Sequence, residues 1–145
     1  MTVWGIVGSE AAKFTQATKP MAFARIRGLL RPGDKVVSGA CPLGGIDAWA
    51  IQIAREMGLE CWEHAPKTND WDTGFKPRNI LIAQDCTEAV CLTVKSLPST
   101  YRGRTFPLCY HCGTTDHVKS GGCWTVKYAR ERLGKPGRII VIGED

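Results

Sequence analysis

Five short apolar runs, separated by four stretches of helical spacing, constrain this chain more than any other feature. They are residues 2–7 (TVWGIV), 35–38 (KVVS), 59–63 (LECWE), 89–94 (AVCLTV) and 138–142 (RIIVI). Short, nearly continuous apolar strands are buried on both faces, and strands of that kind alternate with helices in parallel sheets. Helical spacing falls in residues 10–30, with a break or kink expected near Pro20, and again in 47–57, 80–86 and 124–133. Gly58 and the Gly-Lys-Pro-Gly run at 134–137 are helix stops. Crossovers between parallel strands are right-handed, so the order β-α-β-α-β-α-β-α-β predicts an α/β fold: a Rossmann-like, doubly wound parallel sheet of about five strands. Residues 95–119 show no regular apolar period and form an insertion before the last helix, a kind of segment that is often functional.

A chain of 145 residues has the size of one domain, and 43% hydrophobic with 23% charged residues suits a packed core better than disorder. The net charge of +5 comes from scattered basic residues. That favours an anionic small molecule as partner, and nucleic acid is not expected without a Lys/Arg run. No stretch reaches the roughly 18 apolar residues that span a bilayer, and the first nine residues lack the length and charge of a secretory signal. The expectation is a cytoplasmic protein with no membrane partner, whose cysteines Cys41, Cys61, Cys86 and Cys91 are reduced thiols.

In an open parallel sheet, ligands bind beyond the carboxyl ends of the strands. Three glycine-bearing turns fall there: Gly8-Ser9, the loop from Ser38 and Gly39 through Gly44-Gly45 to Asp47, and Ser120-Gly121-Gly122 running to Thr125. Glycine admits close backbone approach and positive φ, and a helix N-terminus offers unpaired N–H groups, so together they suit a phosphate. The plain alternative is three tight turns. Asp47 is either a first-turn acid that stabilises its helix or an acceptor for a ribose hydroxyl or a base. Arg78 and Asn79 begin another helix, where the dipole favours acids. Arg78 is therefore either a bidentate phosphate ligand or a solvated surface residue.

A separate cluster, Cys109-x2-Cys112-x4-His117-x5-Cys123, comes close to zinc-knuckle spacing. Thiolate and imidazole donors suit tetrahedral zinc, which would staple an insertion poor in apolar residues. His111 is an alternative donor to His117. Free thiols in an ordinary loop are the plain reading, and a third makes Cys123 a nucleophile activated by the helix N-terminus.

Three motifs together carry a resemblance: V-V-S-G-A-x-x-x-G-G-I-D-x-x-A (residues 36–50), P-R-N followed by Asp85 (77–85), and S-G-G-C-W-T-x-x-x-A (120–129). They resemble the SLOG superfamily, the group of DprA and the LOG enzymes, and are most similar to its YspA/YpsA-like nucleotide-binding proteins. The resemblance spans the chain apart from the insertion and implies a single SLOG-like domain over residues 1–145. It also implies a nucleotide-type small-molecule ligand and contacts from the glycine turns and the Arg78–Asn79 pair, and homo-oligomers are common among such proteins. LOG phosphoribohydrolases carry P-G-G-x-G-T-x-x-E. Aligned to that motif, Ser120 stands at the proline, Trp124 at a glycine and Tyr128 at the catalytic glutamate, with Glu131 three residues further on. The expectation is therefore a protein that binds, and so senses or sequesters, a phosphate-bearing nucleotide derivative. The alternative is a LOG-like N-glycosidase or transferase acting on nucleoside monophosphates, with Asp47 or Glu10 as replacement carboxylate. A DNA-binding relative of DprA is a third reading, disfavoured by the short length and the absence of a basic patch.

Overall fold

A computed structural model of the chain describes residues 1–143. The strands are β1 (Val3–Gly8), β2 (Lys35–Gly39), β3 (Glu60–His64), β4 (Glu88–Val94) and β5 (Gly137–Ile142). The helices are α1 (Thr18–Leu29), α2 (Ile46–Glu56), α3 (Lys76–Asp85) and α4 (Gly121–Leu133). All strand pairs are parallel, in the order β3-β2-β1-β4-β5. The fold is the expected α/β, Rossmann-like doubly wound sheet. The chain runs outward from β1 to β3, then returns through α3 to β4, so the strand order reverses between β1 and β4. That reversal opens a crevice at their carboxyl ends, where such sheets hold ligands.

Strand alternation divides the core in two. Trp4, Ile6, Val36, Val90, Leu92 and Ile140 face α1 and α2, and meet Ala22, Ile26, Ile46, Ala50 and Ile53. Val7, Val37, Ala89 and Cys91 face α3 and α4, and meet Ile82, Ala83, Val126 and Ala129. The turn before β2 is locked by Asp34, whose carboxylate accepts from Arg31 N, Thr2 N and Trp4 Nε1 at 2.9–3.0 Å. The β1–β2 register therefore does not rest on backbone pairing alone. No helix among the described residues is long and apolar enough to cross a membrane.

Several boundaries differ from those expected. The 10–30 stretch is a short 3-10 turn (Ala11–Lys13) followed by α1. The break precedes Pro20, at Thr15, whose N–H donates to Thr18 Oγ1 while its own Oγ1 accepts from Thr18 N. Pro20 sits in the first turn of α1, where a missing N–H costs nothing. A turn of π-helix (Trp71–Phe75) runs directly into α3, which starts at Lys76 rather than near residue 80. The last helix starts at Gly121 instead of 124 because Ser120 caps it, its hydroxyl accepting from Gly122 N at 3.1 Å. Between β4 and α4 the described residues form neither helix nor strand, only an isolated bridge from Cys109 to Thr114.

Gly45 precedes α2 with φ +88°, and an added Cβ would lie 2.3 Å from Ser9 O and 2.6 Å from Ala11 N. Backbone cannot move aside as a flexible side chain can. Gly45→Ala should therefore destabilise the protein by more than about 2 kcal/mol. Gly28→Ala should stabilise it by about 0.5–1 kcal/mol, since Gly28 lies within α1 and a Cβ there meets nothing within 4 Å. Urea denaturation of the two variants beside the parent checks both signs.

Candidate functional site

The crevice beyond β1 and β4 is a cavity of about 270 Å³. Its floor is the end of β1, Val7 to Glu10, and one wall is the start of α4, Ser120 to Gly122. Arg78, Asn79 and Phe75 come from the head of α3, Trp71 from the π turn, Asp47 from α2, and Lys13 and Lys119 from the segments following β1 and preceding α4.

Eight of the expected ligand residues line this cavity: Gly8, Ser9, Asp47, Arg78, Asn79, Ser120, Gly121 and Gly122. Five do not. The Ser38 hydroxyl is buried and donates to Ile6 O. Gly39 lies beneath Arg78, where a Cβ would stand 1.9 Å from Nη1. Gly44 and Gly45 turn the chain behind the wall, and Ile46 N donates to Ser9 O at 3.1 Å, so that part of the α2 N-terminus is satisfied by β1's own loop. Thr125 is fully buried one turn into α4. Gly39 and Gly45 support the cavity by letting side chain and backbone approach closely. Gly122 does the same from within the wall, since a Cβ there would come within 2.7 Å of Cys91 Sγ and 3.1 Å of Gly8 N.

The electrostatic centre is a buried pair. Arg78 Nη1 lies 3.4 Å from Asp47 Oδ2, and the two side chains are 8% and 6% exposed. Asp47 Oδ1 accepts from Gly8 N at 3.2 Å, and Arg78 Nε donates to Asn79 Oδ1 at 2.8 Å. The guanidinium also rests on the Phe75 ring, 5.4 Å from its centroid. Arg78 is thus no solvated surface residue. Burial pushes the Asp47 carboxyl up to about 6, with Arg78 and the Gly8 N–H pulling the other way. At neutral pH the acid is ionised and the pair stands. Burial also pulls Lys13 below the usual lysine range, as does Lys119, while Glu10 opposes the shift. Gly121 N meets no acceptor among the described residues, leaving the positive end of α4 open to the cavity.

Sequence reasoning missed Lys13, Trp71, Phe75 and Lys119. They lie in stretches without a motif: the 3-10 turn after β1 brings Lys13 to the crevice, the π turn brings Trp71 and Phe75, and the packing of the insertion brings Lys119. Trp71 is 37% exposed and meets Trp124 edge-on at 5.4 Å, and Trp124 stacks on Tyr128. Tyr128 therefore belongs to an aromatic stack. Glu131 lines a separate groove of about 680 Å³ beside α4 and β5. Of the carboxylates, Glu10 and Asp47 line the cavity.

The second cluster assembles as its spacing suggests. Donor atoms of Cys109, Cys112, His117 and Cys123 lie within 4.8 Å of one another and could hold a metal ion. Gly113, at φ +71°, turns the chain between Cys112 and Thr114, and Gly113 N donates to Cys109 O at 2.7 Å. His117 Nε2 is 3.7 Å from Cys123 Sγ, while Nδ1 is held by Asp116 at 2.8 Å. A carboxylate behind the imidazole is the arrangement that orients a histidine towards a metal. His111 lies outside the group, against Trp71 and Tyr110, and burial pushes it down to about 4. Burial and the neighbouring thiols push Cys112 up to about 12, while the Cys91 thiol, followed by burial, pushes Cys123 well above the usual range. Without a cation these are protonated thiols, which argues against an activated Cys123 nucleophile. All seven cysteines are free, and Cys91 lies 3.9 Å from Cys123.

Compared with known protein families, curated proteins and solved structures, the chain matches none.

The raised Asp47 pKa has a definite sign in stability. The folded carboxyl holds its proton more tightly than the unfolded one, so the contribution is complete below about pH 4 and is lost as pH rises through about 6. Relative to Asp47→Asn, the parent should lose up to about 3 kcal/mol across that window. Urea denaturation of both proteins from pH 4 to 7 measures the difference. A constant offset would show that the carboxyl is not perturbed.

Proposed function

We propose that this protein binds a phosphate-bearing, nucleotide-derived small molecule in the crevice beyond β1 and β4, to sense or sequester it. One observation carries the reading: Arg78, Lys13 and the open N-terminus of α4 converge on one cavity at the strand-order reversal. A guanidinium fixed by Asp47 and Asn79 is pre-organised for a phosphate, and the helix terminus adds the Gly121 N–H and a positive dipole end. The exposed ring of Trp71 offers an apolar face to a base. The resemblance of the three motifs to SLOG proteins agrees with this assignment.

A second reading, N-glycoside hydrolysis, rests on Glu10. This cavity carboxylate accepts from Tyr101 Oη at 3.0 Å. Binding without turnover is favoured because Tyr128 occupies the position of the LOG glutamate and Glu131 faces the other groove.

The Cys109, Cys112, His117 and Cys123 cluster fits zinc: three sulfurs and one imidazole, with Asp116 behind the histidine. Bound there, zinc would favour the thiolate forms and staple the insertion to the first turn of α4. The residues Lys119 to Gly122, which line the cavity, lie between the ligands His117 and Cys123.

Titration calorimetry with AMP should detect binding that Arg78→Ala weakens by about 1.5–3 kcal/mol and Arg78→Lys only partly restores. Circular dichroism should show both variants folded. Unchanged affinity in the alanine variant, or release of free base at about 1 per second or faster, would overturn the reading. Elemental analysis of protein grown with zinc should find one zinc ion per chain. Cys109→Ser or Cys112→Ser should abolish it and Cys86→Ser should not, and zinc-free parent protein would defeat the metal assignment.

A further inference from the structure

A second cleft, of about 190 Å³, lies within the insertion and is closed by Lys13 from the 3-10 turn after β1. Lys13 and Lys119 line both this cleft and the ligand cavity, so the two spaces meet at these lysines. Lys13 Nζ donates to the backbone Lys119 O at 3.1 Å, which sets the Lys13 side chain at the junction. The far wall of the cleft carries Arg104, its guanidinium carbon 5.0 Å from the Phe106 ring centroid. Lys119 Nζ lies 4.9 Å from the same centroid and 5.2 Å from that of Tyr110.

Phe106 thus holds two like charges, and Lys13 adds a third. None of Lys13, Arg104 and Lys119 has an ion-pair partner among the described residues. Among the described residues no carboxylate lines the cleft. Glu10 lies on the cavity side of Lys13 and is bonded to Tyr101, and Asp116 is turned towards His117. Burial disfavours the charged form of Lys13, Glu10 favours it and Lys119 again disfavours it, so a bound anion would offset part of the cost. Cations held on aromatic rings rather than on carboxylates stay available to a ligand.

We infer that this cleft is a second anion subsite, continuous with the ligand cavity through Lys13 and Lys119, and that the ligand belongs to the nucleoside diphosphates or higher polyphosphates. The inference rests on the nucleotide reading above and adds to it the phosphate number. The first phosphate meets Arg78 and the α4 N-terminus. The next crosses the lysine pair and reaches Arg104.

Titration calorimetry at fixed pH and salt, with AMP, ADP, inorganic phosphate and pyrophosphate as probes, tests it. The parent should bind ADP at least about tenfold more tightly than AMP, the gain of one charge-assisted contact or more. Arg104→Ala changes an exposed residue of the insertion. It should remove most of that gain and leave AMP affinity within about twofold, as expected for a residue reached only by the second phosphate. Equal affinity for AMP and ADP in the parent would overturn the inference and leave the nucleotide reading intact. So would an ADP-to-AMP ratio that Arg104→Ala does not change, since the gain would then be bulk charge. A parent that binds neither AMP nor phosphate overturns the nucleotide reading. In that case, pyrophosphate binding that depends on Arg104 supports the second subsite, and no pyrophosphate binding overturns it as well.

Discussion

The buried carboxylate of Asp47 is the point on which the rest of the site depends. It belongs to α2, accepts from the last N–H of β1, and faces the guanidinium of α3. Gly39, at the end of β2, leaves the space in which that guanidinium lies. Four elements are thereby registered against one another where the strand order reverses. Such a pair is weak evidence for stability, because taking both charges out of water offsets their attraction, yet losing either partner leaves the other buried and uncompensated. Its value is geometric: Arg78 has few arrangements open to it and meets a ligand already oriented.

That centre requires close backbone approach, and the glycines around it are required mainly by packing. Gly8 lies against Leu92 O and Ile46, Gly45 against the Ser9–Ala11 backbone, and Gly122 against Cys91 and Val7. A glycine pattern of this kind is usually assigned to phosphate contact. Here much of it lets α2 and α4 start close to the sheet, so that Asp47 and the N-terminus of α4 reach the crevice. The open Gly121 N–H is a consequence of that closeness.

The insertion contributes through its side chains and turns instead of regular structure. Its return to the sheet is held by Val118 N donating to Val94 O and by Thr93 Oγ1 donating to Val118 O. Beyond this anchor, an aromatic series runs from Phe106 through Tyr110 and His111 to Trp71, which lines the cavity. The Cys/His cluster and the basic cleft share this segment. Whatever orders the insertion therefore also sets the positions of Lys119 and Ser120.

The sequence by itself determined the layer architecture. Apolar runs of strand length, separated by helical spacing and closed by Gly-Pro turns, leave a parallel sheet as the arrangement that buries them, and right-handed crossovers make it doubly wound. It also determined the four members of the Cys/His cluster apart from the choice between His111 and His117, because ligand spacing within 15 residues is a local property. Much of the glycine and Arg-Asn set could be read in the same way, since strand ends are recognisable locally. The tertiary structure decided which of those residues face the crevice. It set Gly44 and Gly45 behind the wall, buried Arg78 against Asp47, and selected His117 by bringing its ring within 4.8 Å of the three thiols. It also brought Lys13, Trp71, Lys119 and Arg104 to the two cavities from segments with no motif. The reason is physical. Local spacing dictates which groups share a strand, a helix face or a turn. Which groups meet across 30 to 100 residues follows from how closely the elements pack, and a single Cβ at Gly39, Gly45 or Gly122 would change that.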